Sequence, residues 1–459
     1  MTAHQVLLTD VDVEGRRADV RVTDGVVTEI AERLTASPDD DEVIAAGGGA
    51  LLPGLHDHHV HLLAMAAAAS SLDVSGTGPE GLERLRNAGP GTDGWVRATG
   101  YHDQGLGPVD RHDLDRLRAD VPVRVQHRGG ALWVLNSAAL DAVPDLPGSS
   151  EDHGVERDSE GRRTGRLWRR DDLVRTATGG GLPHLGAVQR QLRALGITGV
   201  TDASPDLDKD ACRHVSQSLG KGPHRLRVTL MTTTDPGPLG WAELGPYKVL
   251  LHDHDLPGLD DLTARLAAAH QAGRAVAVHC VTRQSLVLTL AAFEEAGVVD
   301  GDRIEHGSVI PPELVDWVAR LGLRVVTQPS FLRLRGDDYL AEADPADRPH
   351  LLPYAALLAA DVRVAPSSDV PYGSPDPWST MRDARDRLSH SGSRVGADAR
   401  VDPRAVLRGY LSPPDDPGGR PRRVRPGMRA DLCLLHVGLE HALVECSSDN
   451  VARTFVNGE

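Results

Sequence analysis

The chain has 459 residues, a formal net charge of −16 and an ordinary 40% of hydrophobic residues. That length exceeds one simple domain and leaves room for a barrel of about 250 residues plus a smaller unit. The negative charge argues against nucleic acid and anionic membranes as partners, since both attract basic surfaces, and no apolar run reaches the roughly 18 residues of a membrane span.

Met1 to Gln5 carry neither a basic segment nor an apolar one, so no signal peptide is expected. Over residues 5–31 apolar and polar positions alternate, with turns at Glu14-Gly15 and Asp24-Gly25, which predicts a short antiparallel sheet with hairpin turns. Next comes Pro53-Gly54-Leu55-His56-Asp57-His58-His59-Val60-His61-Leu62, the most informative stretch. Residues two apart on a strand share a face. His59 and His61 therefore point together, two imidazoles for one metal, and Asp57 on the same face is expected to hold a ligand histidine from behind.

Residues 64–180 fit no simple rhythm and read as an insertion. From Leu185 onward helices and strands alternate. Strands are expected at 196–202, 226–231, 247–251, 275–279, 303–306, 324–328 and 362–365, with helices at 185–195, 262–272, 286–296, 314–321 and 353–360. This βα alternation argues an α/β fold with a parallel sheet wrapped by helices, and the repeat count suits a barrel. At the C-terminal end, Pro426 to Leu435 and Val451 to Val456 return to a turn-and-strand character. The cysteines Cys212, Cys280, Cys433 and Cys446 match no metal or redox spacing and read as reduced thiols of a cytoplasmic protein. Lysine occurs only at 209, 221 and 248. An arginine-for-lysine bias this strong makes a lysine on an apolar strand, Lys248, worth a question.

The His59/His61 phrase resembles the amidohydrolase superfamily, whose first barrel strand ends in HxH after a Pro-Gly. The insertion narrows the resemblance to the amidohydrolase 3, or YtcJ-like, branch. Trp95, Arg97, Gly100 and Tyr101 match one phrase of that branch, Asn136 to Leu140 a second, and Asp158 to Gly165 a third. Where relatives often carry a histidine before the tryptophan segment, this chain has Gly129-Gly130-Ala131. The resemblance implies a (β/α)8 barrel over 53–420 with an insertion at about 64–180. It also implies a β-sandwich assembled from both chain ends, residues 1–52 and 421–459, closed by the phrase Pro426 to Leu432.

It further implies a metal site at the C-terminal strand ends, built from His59, His61, Lys248, His279, His306 and Asp369 in that order. Each has a bland alternative when taken singly: a buried histidine on a carbonyl, a turn aspartate, a surface lysine. Together, at strand-end spacing, those alternatives lose weight. The implied cofactor is one or two divalent ions, zinc by default, with manganese, iron or cobalt compatible. In binuclear members the lysine is a carbamate bridging both ions; in mononuclear ones it stays unmodified. Asp369 is the expected catalytic base. Deaminases of the superfamily place a glutamate three residues after the fifth-strand histidine, where this chain has Thr282. The expectation is thus hydrolysis of an amide, N-acyl or N-formyl bond in a small molecule. The rivals are a deaminase or other hydrolase on the same scaffold, or a non-catalytic protein of this fold. Tyr101, His102, Trp133, Arg283, Gln328 and Phe331 are candidate substrate contacts, with Arg283 suited to a substrate carboxylate. No nucleic-acid or membrane partner is expected, and a homodimer is left open.

Overall fold

The computed structural model describes residues 4–37, 42–75, 79–103, 107–144, 154–179, 181–205, 207–222, 225–396 and 400–459; Met1 to Ala3, part of the segment read for a leader, lie outside the described residues. The chain divides into two compact units, Met1–Leu62 with Leu185–Glu459, and Leu63–His184.

The first unit is dominated by an eight-stranded parallel sheet that is nearly closed on itself. Its strands are β1 (Leu55–Val60), β2 (Ile197–Asp202), β3 (Arg227–Thr232), β4 (Glu243–Val249), β5 (Val276–Cys280), β6 (Arg303–His306), β7 (Arg324–Thr327) and β8 (Val364–Pro366). Spatial order follows chain order throughout, as expected when each crossover is a right-handed βα unit. Just past β8, the Asp369 N–H donates to the His59 carbonyl at 2.9 Å and the His61 N–H to the Val370 carbonyl at 2.9 Å, which brings the last strand back to the first. Gly54 precedes β1 because nothing larger fits: a Cβ there would meet the Thr198 methyl at 2.1 Å. The β1 and β2 strands are buried along their whole length, as strands covered on both faces must be.

The same unit holds two smaller sheets. Gln5–Val13, Arg16–Thr23, Val26–Ala31 and Glu42–Ala45 form one, and Leu51–Pro53, Leu432–Leu435 and Val451–Phe455 form the other. Val6, Leu8 and Val20 from the N-terminal strands and Leu432, Leu434 and Phe455 from the C-terminal ones share one apolar core. All four cysteines are buried free thiols. Among the described residues no helix is long and apolar enough to cross a membrane.

The second unit has its own six-stranded mixed sheet, in which Val96–Tyr101, Val123–His127, Leu132–Leu135 and Arg163–Trp168 are neighbours in that order. Its core gathers Val96, Tyr101, Val123, Val125, Leu132 and Val134.

Candidate metal centre

At the C-terminal ends of the barrel strands His59, His61 and Asp369 converge, one ligand-type atom of each lying within 4.8 Å of the others. Asp369 Oδ1 is 3.0 Å from His61 Nε2 and 3.5 Å from His59 Nε2. Each imidazole is held from behind. His59 Nδ1 meets Glu305 Oε2 at 2.5 Å, and His61 Nδ1 meets Ser204 Oγ at 3.1 Å. A carboxylate only accepts, so the His59 proton sits on Nδ1 and Nε2 presents its lone pair to the centre. His306 lies with its ring 4.9 Å from that of His59, and His279 with its ring 4.4 Å from that of His306. The Lys248 amine is buried with no hydrogen-bond partner among the described residues. Its charge interacts with Glu305 and Asp369 and depresses His59, His279 and His306. The six residues singled out in the sequence thus share one neighbourhood.

Backbone conformation explains how neighbours in sequence reach the same centre. Strict alternation would send Glu305 and His306 to opposite faces. His306 has φ 70° and Asp369 φ 54°, both left-handed, and this breaks the alternation at the two strand ends. Such backbone costs on the order of 1–3 kcal/mol per residue and concentrates at functional sites.

The electrostatics favour neutral bases around a carboxylate. Burial pushes His59 down to about 3, helped by Lys248 and opposed by Glu305. Burial likewise holds His279 well below the usual imidazole range and lowers His306. The Lys248 amine is lowered by burial, against the pull of Glu305 and Asp369. For Asp369 burial works upward, but His61, His59 and His306 prevail and hold the carboxyl below its ordinary value. Asp369 Oδ1 is buried and receives no well-directed hydrogen bond. An orphaned carboxylate oxygen beside two imidazole nitrogens fits a divalent cation, and this donor set suits zinc and its first-row neighbours.

One expectation needs correction. Asp57 does not hold a ligand ring. Its Oδ1 accepts from the N–H groups of Ser368 and His59, at 3.1 and 3.2 Å, and the carboxylate behind His59 is Glu305. Glu305 is itself clamped by Arg303, Nε to Oε1 at 2.6 Å. Neither was singled out from sequence, although Arg303 and Glu305 alternate on a strand with two charges where a buried strand should be apolar, which was the available signal. Gln328 is committed to the protein: its Oε1 meets His306 Nδ1 at 2.8 Å, and its Nε2 donates to Ser367 Oγ at 2.9 Å. Arg283 is ion-paired with Asp347. Phe331 is a buried core residue.

The remaining three candidate contacts belong to the second unit. There the Tyr101 hydroxyl bonds Asp103, the Gly107 carbonyl and the Val109 N–H. His102 stacks on His127, and the Trp133 indole donates to Asp171 at 2.8 Å. A shallow cleft bordered by Gln217, Lys221 and Trp241 holds none of the sequence-picked residues.

A parallel eightfold barrel with a His/His/Asp centre at its C-terminal mouth defines the class of metal-dependent barrel hydrolases. Residues 42–459 match the sequence profile of the amidohydrolase family, and the chain belongs to that family. It is 25% identical to the N-substituted formamide deformylase of Arthrobacter pascens, over 94% of this chain and 92% of that one. It is 26% identical to YtcJ of Bacillus subtilis (strain 168), over 79% of each. Among solved structures, an uncharacterized metal-dependent hydrolase from Pyrococcus horikoshii superposes with TM-score 0.72 at 18% identity, covering 94% of this chain and 97% of that one. N-isopropylammelide isopropylaminohydrolase from Burkholderia multivorans superposes with TM-score 0.55 at 16% identity, covering 99% and 97%. These two likenesses establish the barrel fold.

Proposed function

We propose that this chain is a metal-dependent hydrolase cleaving a C–N bond, an amide, N-acyl or N-formyl linkage, in a small molecule. The observation that carries the reading is the buried Asp369 oxygen, without a hydrogen bond, facing the Nε2 atoms of His59 and His61. The deformylase relative supports the bond type, since its substrate is an N-substituted formamide.

His59, His61 and Asp369 would hold one divalent ion, zinc by default, with His279 and His306 completing the set or receiving a second. For a second ion the Lys248 amine, depressed by burial, would add carbon dioxide and release a proton to become an anionic carbamate. When bound, the ion acidifies water and polarises a substrate carbonyl. Asp369 orients the attacking water, takes its proton on a carboxylate oxygen and delivers it to the leaving nitrogen, so that amine and carboxylic acid depart together. Glu305 keeps the His59 proton on Nδ1, and Gln328 fixes the ring of His306. Thr282, where deaminases of the superfamily carry a glutamate, instead caps the helix Arg283–Ala296.

The test is a panel of N-formyl and N-acyl amines with product identification. Release of amine plus carboxylate is expected; ammonia as the product would instead mark a deaminase. Elemental analysis should find at least about one divalent ion per chain, and less would favour a non-catalytic scaffold. Asp369→Asn should keep much of the ion and lose turnover by about 10²-fold or more.

A further inference from the structure

One cation at the barrel mouth has no part in the proposed chemistry. The helix Phe331–Glu342 starts directly after β7, its Phe331 N–H donating to the Gln328 carbonyl at 3.0 Å. Phe331, Arg335 and Tyr339 follow at a spacing of four and share one helix face. The Arg335 guanidinium lies 4.3 Å from the centroid of the Phe331 ring, and its Nη2 donates to the Tyr372 carbonyl at 3.4 Å. Its charge also acts on the phenol of Tyr339, one helical turn further on.

These contacts run straight to the metal centre. The Tyr372 N–H donates to the Asp369 carbonyl at 2.8 Å, and the Tyr372 ring is 5.5 Å from that of His61. Tyr339 is close enough to feel the Asp369 charge, which adds to burial in pushing its phenol up. Arg335 thus stands one residue away from two of the side chains proposed to hold the ion.

Like Arg387 and Arg422, whose guanidinium groups donate to backbone carbonyls, it has no acid as a partner among the described residues, and it differs from them in standing beside the metal centre. Other arginines around the barrel are matched: Arg283 with Asp347, Arg303 with Glu305, and Arg324 with Asp300 and Asp416. Among the described residues no carboxylate forms an ion pair with Arg335, in a chain with 66 acidic and 50 basic residues. An arginine left half-buried on an aromatic face, with its planar fork unclaimed by an acid, is suited to a carboxylate arriving from outside. Its attraction to the Phe331 ring holds the fork in place.

We propose that Arg335, assisted by the Tyr339 phenol, anchors a carboxylate of the substrate, so that the molecule cleaved is an N-formylated or N-acylated amino acid. This rests on the hydrolase reading above and adds the substrate class. Anchoring the carboxylate away from the scissile bond would add binding shared equally by the bound substrate and the transition state.

The experiment compares racemic N-formyl- and N-acetyl-leucine with N-formyl- and N-acetyl-3-methylbutylamine, the same molecules lacking the carboxylate. Wild type should favour the acids in kcat/KM by about tenfold or more. Arg335→Met keeps the stem on Phe331 and removes the charge. It should raise KM for the acids by about 10- to 100-fold and leave kcat, and both constants for the neutral amides, within about twofold. Arg335→Lys should recover part of the loss.

Hydrolysis of the neutral amides with no preference for the acids would leave the hydrolase reading intact and overturn the anchor. Equal losses on both classes in Arg335→Met would also overturn it, by making the residue structural. If none of the four is turned over, the hydrolase reading fails for this panel. Calorimetric binding of N-acetylleucine to wild type, and its absence in Arg335→Met, then still upholds the anchor; no binding to wild type removes it.

Discussion

His59 owes its orientation to a carboxylate that is itself owned by an arginine. Arg303, Glu305 and His59 form a buried chain with contacts of 2.6 and 2.5 Å, and the other end of the Arg303 fork reaches the His58 carbonyl at 3.2 Å. Arg303 and Glu305 are almost wholly shielded from water. A buried ion pair is weak evidence for stability in itself, but removing one partner leaves an uncompensated charge that costs about 3–5 kcal/mol. Glu305→Gln should therefore do two things. It should lower stability by an amount of that order, read from the denaturant midpoint. It should also weaken divalent-ion affinity by about 10- to 100-fold, because the His59 tautomer is no longer fixed. The double variant Arg303→Met/Glu305→Gln separates the two effects, since it removes the orphaned charge. Stability should largely return while ion affinity stays low. Recovery of ion affinity in the double variant would show that Glu305 serves the fold alone.

At the level of elements, the wall around Arg335 depends on a second buried arginine. The helix Pro377–Asp386 ends at Arg387, whose backbone is left-handed at φ 49°. Its guanidinium donates to the carbonyls of Val395, Leu352 and Leu351 at 2.7, 3.1 and 2.8 Å. Those loops surround the cluster of Phe331, Leu332, Leu351, Leu352 and Val395, against which Tyr339 and Tyr372 pack. Arg387→Met should cost about 3–5 kcal/mol, the loss of charge-assisted bonds plus buried carbonyls left without donors. KM should rise while ion affinity holds, because no bond of Arg387 runs to the metal centre; calorimetric ion titration checks the second half.

The same region shows where sequence reading stops. The βα rhythm made β2 to β8 legible to within a few residues, since apolar runs bounded by amphipathic helices carry their own period. The helix Phe331–Glu342 was not. Its Gly336 and the Asp337-Asp338 pair weaken helix propensity, and the reason for the glycine is tertiary: a Cβ at 336 would meet the Ser389 Cβ at 2.9 Å. HxH announced His59 and His61, whereas Glu305 and Arg335 take their meaning from contacts across strands that no local pattern encodes. The second unit resisted for a related reason, as its short strands pair both parallel and antiparallel and so follow no single repeat.

Over the whole molecule, the histidines around β1, β5 and β6 tie stability to pH. The His56 ring bonds Thr201 Oγ1 at 2.9 Å, joining β1 to β2, and the His58 ring bonds Ser412 Oγ at 3.0 Å. Burial pushes His58 and His59 down to about 3. It holds His56 and His279 well below the ordinary range and lowers His306. A depressed folded value means that the stability is complete above the unfolded imidazole value of about 6.5 and is lost as pH falls from there toward 3. In that window the unfolded chain binds protons that the fold refuses. Each such group removes up to about 1.4 kcal/mol per pH unit. Asp57 runs the other way: burial raises it to about 7, so its contribution is complete below the unfolded aspartate value and is lost as pH rises through about 7. Burial raises Asp302, Asp376 and Asp383 as well, but the five imidazoles, joined by the lowered carboxyls of Glu305 and Asp369, outweigh them, so the net sign is acid lability. A bound ion reinforces it, because the ion competes with protons for the same nitrogens. Tm should therefore fall steeply from pH 7 to pH 5, with chelator present and more so without it. Calorimetry in buffers of different ionisation enthalpy should register net proton uptake on unfolding. A Tm that stays level across that interval would mean that these rings are not buried as neutral bases, and the lone pairs proposed to hold the ion would lose their basis.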